Sequence, residues 1–214
     1  MIAIDSILQT IEQQKIISII RTSSDYDLSK TVESLYAGGI RVIEVTMNSP
    51  GALQEIEKIK GNFPDVLVGA GTVLDAETAR LAILSGASFL LAPTLSKNSI
   101  QLANRYNVPL IPGVFTPTEV LQAYEYGAKV VKVFPVGTLG PKYIKELKGP
   151  LSQVEMIPVG GVTEQNAKAF IQAGSFALGV GSSLVSDKLV REENYPEIEK
   201  RAKQLVAAIS SSNL

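Results

Sequence analysis

Two ionisable residues lie inside runs of branched aliphatics, and both have side chains able to do covalent or proton-transfer chemistry. Lys132 sits in Val130-Val131-Lys132-Val133-Phe134, and Glu44 in Val42-Ile43-Glu44-Val45. Successive side chains of an extended strand point to opposite faces, so Lys132 faces away from Val131 and Val133. An ammonium among aliphatics is costly, and burial therefore lowers the pKa of the lysine. A neutral amine is a nucleophile toward carbonyl carbon and can form a Schiff base. The same burial raises the pKa of a carboxylate toward neutrality, which suits Glu44 to shuttle protons in imine formation and carbon–carbon cleavage. A Glu44–Lys132 ion pair without chemistry is the plainer reading of the same residues, and it overlaps with the resting state of a catalytic site.

Absent residue types narrow the chemistry further. The chain has no Cys and no His, which removes disulfides, thiolate nucleophiles, Fe–S clusters, Cys-based zinc sites, Ser-His-Asp triads and HExxH metal sites. Carboxylate, Lys, Tyr, Ser and Thr remain, and a carboxylate-bound Mg²⁺ is still open. Twenty basic against twenty-one acidic residues give a net charge of −1, so no broad electrostatic footprint for nucleic acid is expected. An anionic ligand must be held by local groups. Gly160-Gly161 and Gly179-Val180-Gly181-Ser182-Ser183 offer backbone N–H groups near helix starts, which bind phosphate without a basic side chain. Gly69-Ala70-Gly71-Thr72 brings backbone and a hydroxyl close to a carboxylate or carbonyl. Arg21, the only guanidinium directly after an apolar run, is the candidate anion clamp. Each glycine segment alone is also an ordinary turn, and Arg21 alone a solvated strand end.

The elements that must position these groups follow a weak repeat: a short β-branched run, a turn, then an amphipathic segment. Eight runs are predicted as strands: Ile16–Ile20, Ile40–Val45, Val66–Val68, Phe89–Leu91, Pro109–Ile111, Val130–Val133, Met156–Val159 and Ala177–Val180. Helical patterns lie between them near 26–37, 50–60, 75–85, 96–106, 117–126, 141–147 and 163–173, with others at 4–14 and 196–209. Several helices end in Gly (Gly38-Gly39, Gly86, Gly127, Gly174), and Ser49-Pro50, Asp75, Thr116-Pro117, Gly140-Pro141 and Thr163 are expected at helix starts. The expectation is an α/β fold: a single-domain (β/α)8 TIM barrel over residues 1–214 with an extra N-terminal helix. An open doubly wound sheet is the rival, although Arg21-Thr22-Ser23-Ser24 is not the GxGxxG that a Rossmann fold wants after its first strand. In a barrel the site forms at the C-terminal strand ends, where Glu44, Lys132 and the glycine loops fall, with the phosphate site after strands 7 and 8. The start Met1-Ile2-Ala3-Ile4-Asp5 has no cationic n-region, and no apolar run reaches the roughly 18 residues of a membrane span. A cytoplasmic protein with no membrane partner is expected.

The chain resembles the class I 2-keto-3-deoxy-6-phosphogluconate (KDPG) / 4-hydroxy-2-oxoglutarate (KHG) aldolase family over roughly residues 14–190. The motifs are Gly39-Ile-Arg-Val-Ile-Glu44-Val-Thr46, Val68-Gly-Ala-Gly-Thr72-Val, Ile111-Pro-Gly113, Val131-Lys132-Val-Phe-Pro135, Pro158-Val-Gly-Gly161-Val and Gly179-Val-Gly-Ser-Ser183. The resemblance implies Lys132 as the Schiff-base lysine and Glu44 as general acid/base. It implies Thr72 and Pro93 in the pyruvyl pocket, Gly160, Gly161 and Ser183 at the phosphate, and Arg21 as the arginine after the first strand. It also implies a homotrimer needing no metal or other cofactor. The expected activity is cleavage of KDPG to pyruvate and glyceraldehyde 3-phosphate. The alternatives are the galactonate epimer (KDPGal), or KHG giving pyruvate and glyoxylate.

The chain departs from many members at Asn48, where an arginine contacts the substrate carboxylate, and at Val159, where Thr precedes the glycine pair. Met47-Asn48-Ser49-Pro50, Gly140-Pro-Lys-Tyr-Ile-Lys145 and Val159-Gly-Gly-Val-Thr163 look more like the branch acting on the galactonate epimer. Rival readings fit less well. A pentose-phosphate epimerase uses His-containing metal sites, an orotidine-phosphate-type decarboxylase wants Asp-x-Lys-x-x-Asp, and a non-catalytic sugar-phosphate sensor would not need both Glu44 and Lys132.

Overall fold

The structure is a computed structural model and describes residues 4–210. Residues 1–3, read above for the absence of a cationic leader, and 211–214, the end of the expected domain, lie outside the described residues. Helix α1 (Ile4–Gln14) precedes β1 (Ile16–Ile20), and α2 (Ser29–Ala37), β2 (Val42–Thr46), α3 (Ala52–Asn62), β3 (Leu67–Gly71), α4 (Ala76–Leu84) and β4 (Leu90–Leu91) follow. Next come α5 (Lys97–Arg105), β5 (Leu110–Ile111), β6 (Gly113–Val114), α6 (Pro117–Glu125), β7 (Val130–Val133), α7 (Gly140–Lys148) and β8 (Glu155–Pro158). The chain continues through α8 (Glu164–Gln172), β9 (Leu178–Val180), α9 (Asp187–Arg191) and α10 (Tyr195–Ser210).

All strand pairs are parallel. One six-stranded sheet runs β5-β4-β3-β2-β1-β9, and a three-stranded sheet runs β6-β7-β8. The fold is thus α/β with a parallel sheet curled as a half-barrel, and its ladder hydrogen bonds fall into two sheets. One division falls at Pro112. It has no N–H to give to a ladder, and it stands just after the fifth apolar run, between β5, which pairs with β4, and β6, which pairs with β7. The Pro112 carbonyl still accepts the Lys132 N–H at 2.8 Å. At the other margin, β8 and β9 meet through a bridge between Val159 and Gly179 and a Phe176 N–H to Met156 carbonyl bond of 2.9 Å.

Alternation along the strands sorts side chains into two cores. The outer core packs Ile16, Ile20, Ile43, Val45, Val131 and Val133 against the helices. The inner core holds Ile17, Ile19, Val42, Phe89, Leu91, Val130 and Ile157, and α1 adds Ile7, Leu8 and Ile11 to it. Glu44 follows Val42 by two residues and Lys132 follows Val130 by two, so both carry on the inner row toward the C-terminal strand ends. Register places Glu44 opposite Ile19 and Gly69, and Lys132 opposite Gly113 and Ile157.

Helix starts follow the sequence with one exception. Asp75 accepts the Thr78 N–H at 2.6 Å, and Thr116 and Glu119 form a reciprocal capping box at α6. Ser49, expected at a helix start, is not a cap, because α3 begins at Ala52 after Gly51. Its buried hydroxyl instead meets Thr46 Oγ1 and accepts the Thr22 N–H, both at 3.0 Å, so a tertiary bond displaces the local one. Helix α9 carries no periodicity in its five residues and was not expected.

Candidate active site

A cavity of about 1100 Å³ opens at the C-terminal ends of the strands. It brings together every site residue expected from the sequence: Lys132 and Glu44, Arg21, Thr72 and Pro93, and Gly160, Gly161 and Ser183. Asn48 and Val159, the two departures from the family pattern, line it as well.

Glu44 is 1% exposed, and its Oε2 atom has no hydrogen-bond partner. Burial pushes its carboxyl up to about 7, against the opposing pull of Lys132 and Arg21. Lys132 is 5% exposed, with Nζ 4.8 Å from the centroid of the Phe134 ring. Burial holds its amine below the usual lysine range; the Glu44 carboxylate is the next influence and pulls the other way, and Arg21 adds a smaller downward push. Among the described residues no ion pair joins Lys132 to Glu44, so the inert salt bridge considered from the sequence is not what the structure contains. An amine poised to lose its proton and a carboxyl that titrates near neutrality share one cavity. That combination can add an amine to a carbonyl and move the protons this requires.

The wall beside Glu44 explains a glycine. An ideal Cβ on Gly71 would lie 1.5 Å from Glu44 Oε1, so only a residue without a side chain lets the carboxylate occupy its place. Gly71→Ala is therefore expected to displace Glu44 and lower kcat by roughly a hundredfold, the scale of lost general acid–base assistance, with the far-UV circular dichroism unchanged. A kcat within a few-fold of the parent would show that the Glu44 position is not needed. The next residue, Thr72, has φ +56, an uncommon conformation for a β-branched side chain. Its Oγ1 accepts from the Arg21 guanidinium at 3.2 Å.

The opposite wall is rich in glycine. Gly160 and Gly161 both have positive φ, +87 and +80, and a Cβ on Gly161 would meet the Gly137 Cα at 2.6 Å. Ser183 lines the cavity, and its hydroxyl donates to the Val162 carbonyl at 2.8 Å, in the neighbouring loop that carries Gly160 and Gly161. Neighbouring Ser182 also lines the cavity and is exposed. Sequence reading singled out Ser183 alone, because nothing in two adjacent serines says that one will be bonded to a carbonyl 21 residues away. Phe134 over Lys132, and Ser23 and Asp187 at the cavity rim, were likewise not singled out.

Fold and site together define a parallel α/β protein with a buried amine and a neutral-range carboxyl in one cavity. The chain belongs to the KDPG and KHG aldolase family, whose family model matches residues 4–201. A 2-dehydro-3-deoxy-phosphogluconate aldolase from Haemophilus influenzae is 33% identical over 204 residues, 95% of this chain and 96% of that protein. A solved structure described as "Native KDPGal structure" superposes with a TM-score of 0.85 at 32% identity, covering 92% of this chain and 94% of the other. The Legionella pneumophila KDPG aldolase, described with pyruvate captured at low pH as a covalent carbinolamine intermediate, superposes with a TM-score of 0.86 at 27% identity over 93% and 97% of the two chains.

Proposed function

We propose that the protein is a one-domain Schiff-base aldolase that cleaves KDPG to pyruvate and glyceraldehyde 3-phosphate. The observation that carries this reading is the unpaired Glu44 carboxyl sharing a buried cavity with the Lys132 amine. The Lys132 amine adds to the C2 carbonyl, and the carbinolamine loses water with a proton supplied by Glu44. The resulting iminium is the electron sink. Glu44, directly or through a water, takes the C4 hydroxyl proton, the C3–C4 bond breaks, and its electron pair moves to the iminium nitrogen to give an enamine. Glyceraldehyde 3-phosphate leaves. Protonation of the enamine at C3 and hydrolysis release pyruvate and free Lys132. Arg21 and Thr72 meet the anionic head of the substrate, Pro93 walls the pyruvyl pocket, and Gly160, Gly161 and the loop at Ser183 receive the phosphate on backbone N–H groups. No step calls for a metal or other cofactor.

The galactonate epimer is the second reading, favoured by Val159 and Asn48 on the cavity wall and by the likeness to the KDPGal structure. Val159 offers no hydroxyl to hydrogen-bond a substrate hydroxyl, a change of the kind that shifts preference between epimers. The test is pyruvate release coupled to lactate dehydrogenase, with KDPG, KDPGal and KHG assayed in parallel. The first reading expects the largest kcat/KM for KDPG. A larger value for KDPGal or KHG would assign the chain to that substrate instead, and binding without turnover of any of them would indicate a sensor.

The same reading includes a closed (β/α)8 barrel, in which Pro112 is a seam within one strand and the Val159–Gly179 bridge joins the two margins. It also includes a homotrimer. Leu74, Leu81 and Leu84, before and along α4, are each more than half exposed, and Leu121 and Tyr124 are exposed on α6, which favours burial against further copies of the chain. Among the described residues no helix is long and apolar enough to cross a membrane, and a cytoplasmic location fits the substrates.

A further inference from the structure

The segment between β1 and α2, residues 21–28, has no regular structure, and only Thr22 and Leu28 in it are buried. Apolar packing fixes its far end, where Leu28 enters the core and Tyr26 packs against it, and hydrogen bonds to four other parts of the chain hold the segment as well. Arg21 donates to Thr72 Oγ1 at 3.2 Å, just after β3. The Thr22 N–H donates to Ser49 Oγ at 3.0 Å, after β2. At the far end the Leu28 N–H donates to the buried Glu55 carboxylate at 2.9 Å, on α3. Between them, the Ser23 N–H donates to Asp187 Oδ1 at 2.7 Å and the Ser23 hydroxyl to Asp187 Oδ2 at 3.0 Å.

Asp187 opens α9 and lines the cavity. An acidic side chain beside an anion-accepting loop would repel the ligand if its charge were free. Here both oxygens are engaged by Ser23, and Arg191 stands 3.9 Å behind Oδ2. The bond joins the loop after β9 to the loop after β1 across 164 residues of sequence. Two residues before its anchor point stands Arg21, whose guanidinium is held by a single hydrogen bond, to Thr72, and whose neighbour Thr22 is held by Ser49.

We infer that Asp187 is a positioning residue for substrate binding: by clamping Ser23 it sets Arg21 at the cavity mouth. The inference rests on the aldolase reading, in which Arg21 meets an anionic group of the substrate. It is tested by steady-state kinetics of pyruvate release for the wild type, D187A, D187N, R21A and D187A/R21A. D187A loses two charge-assisted hydrogen bonds and is expected to raise KM about tenfold. Its kcat should stay within about threefold, because Lys132 and Glu44 are not touched. D187N is expected to recover most of the loss, since its Oδ1 still accepts from the Ser23 N–H and its amide donates to the Ser23 hydroxyl. In R21A the further loss of Asp187 should change KM little, whereas an effect through general stability would add in full. Trapping of pyruvate on Lys132 by borohydride in D187A establishes that this variant is folded. A wild type that releases no pyruvate overturns the aldolase reading and this inference with it. An active wild type whose D187A variant keeps its KM, or adds its whole effect to R21A, overturns the inference alone.

Discussion

Replacing Lys132 with methionine is expected to abolish aldol cleavage, lowering kcat by at least about 10⁴-fold, the scale seen when a covalent nucleophile is removed. Methionine keeps nearly the same length and suits the apolar surroundings of Val130 and Ile157, so the inner core stays packed. Burial that costs an ammonium stability costs a thioether none. The variant should therefore unfold at the same temperature as the wild type or higher, which separates lost chemistry from lost structure. The check is the coupled pyruvate assay beside a thermal melt. A variant that retains a hundredth or more of the activity would mean that the amine is not the nucleophile.

Glu44→Gln is expected to have the second largest effect, a fall in kcat of about 10²–10⁴-fold, typical of a removed general acid–base group. The pH profile should change with it. With the carboxyl at about 7, the kcat/KM profile of the wild type should bend near pH 7, where Glu44 changes between the acid that dehydrates the carbinolamine and the base that takes the C4 hydroxyl proton, and Gln should remove that bend. Stability changes with pH as well. The folded state holds the Glu44 proton up to about 7, while the unfolded state releases it near 4.5. Between those values the folded state binds more protons, so stability falls as pH rises through that window. At 1.36 kcal/mol per unit, the total is on the order of 3 kcal/mol. Gln mimics the protonated form, so the variant should match the wild type below pH 4.5 and melt several degrees higher above pH 7. Equal melting temperatures at both extremes would mean that Glu44 is not strained by burial, and with that its role as a base tuned to neutrality would fall.

Much of this site is legible because strand alternation is a rigid rule. Val42 and Val130 face the inner core, so Glu44 and Lys132 two residues on must continue that row, and a sequence reader can place them together without coordinates. Helix ends were legible where the signal is local, as at Asp75 and Thr116. What escaped depends on partners distant in sequence or on backbone conformations that no residue type announces. Ser49 has the composition of a cap but is captured by Thr22 and Thr46. Thr72 adopts a φ of +56 that its β-branched side chain disfavours, and the Ser183 hydroxyl is taken by the Val162 carbonyl, 21 residues away. The Ser23–Asp187 clamp joins two loops that carry no mark of each other. Pro112 was visible as a residue, but the division between β5 and β6 follows from the ladder it interrupts.

One measurement reaches the central claim most directly: incubation with pyruvate and sodium borohydride, followed by mass spectrometry of the intact chain and of its peptides. Reduction of the imine should fix a single pyruvate-derived group on the wild-type protein, and fragmentation should assign it to Lys132. A protein that gains no mass, or carries the group on another lysine while Lys132 remains free, would contradict the account.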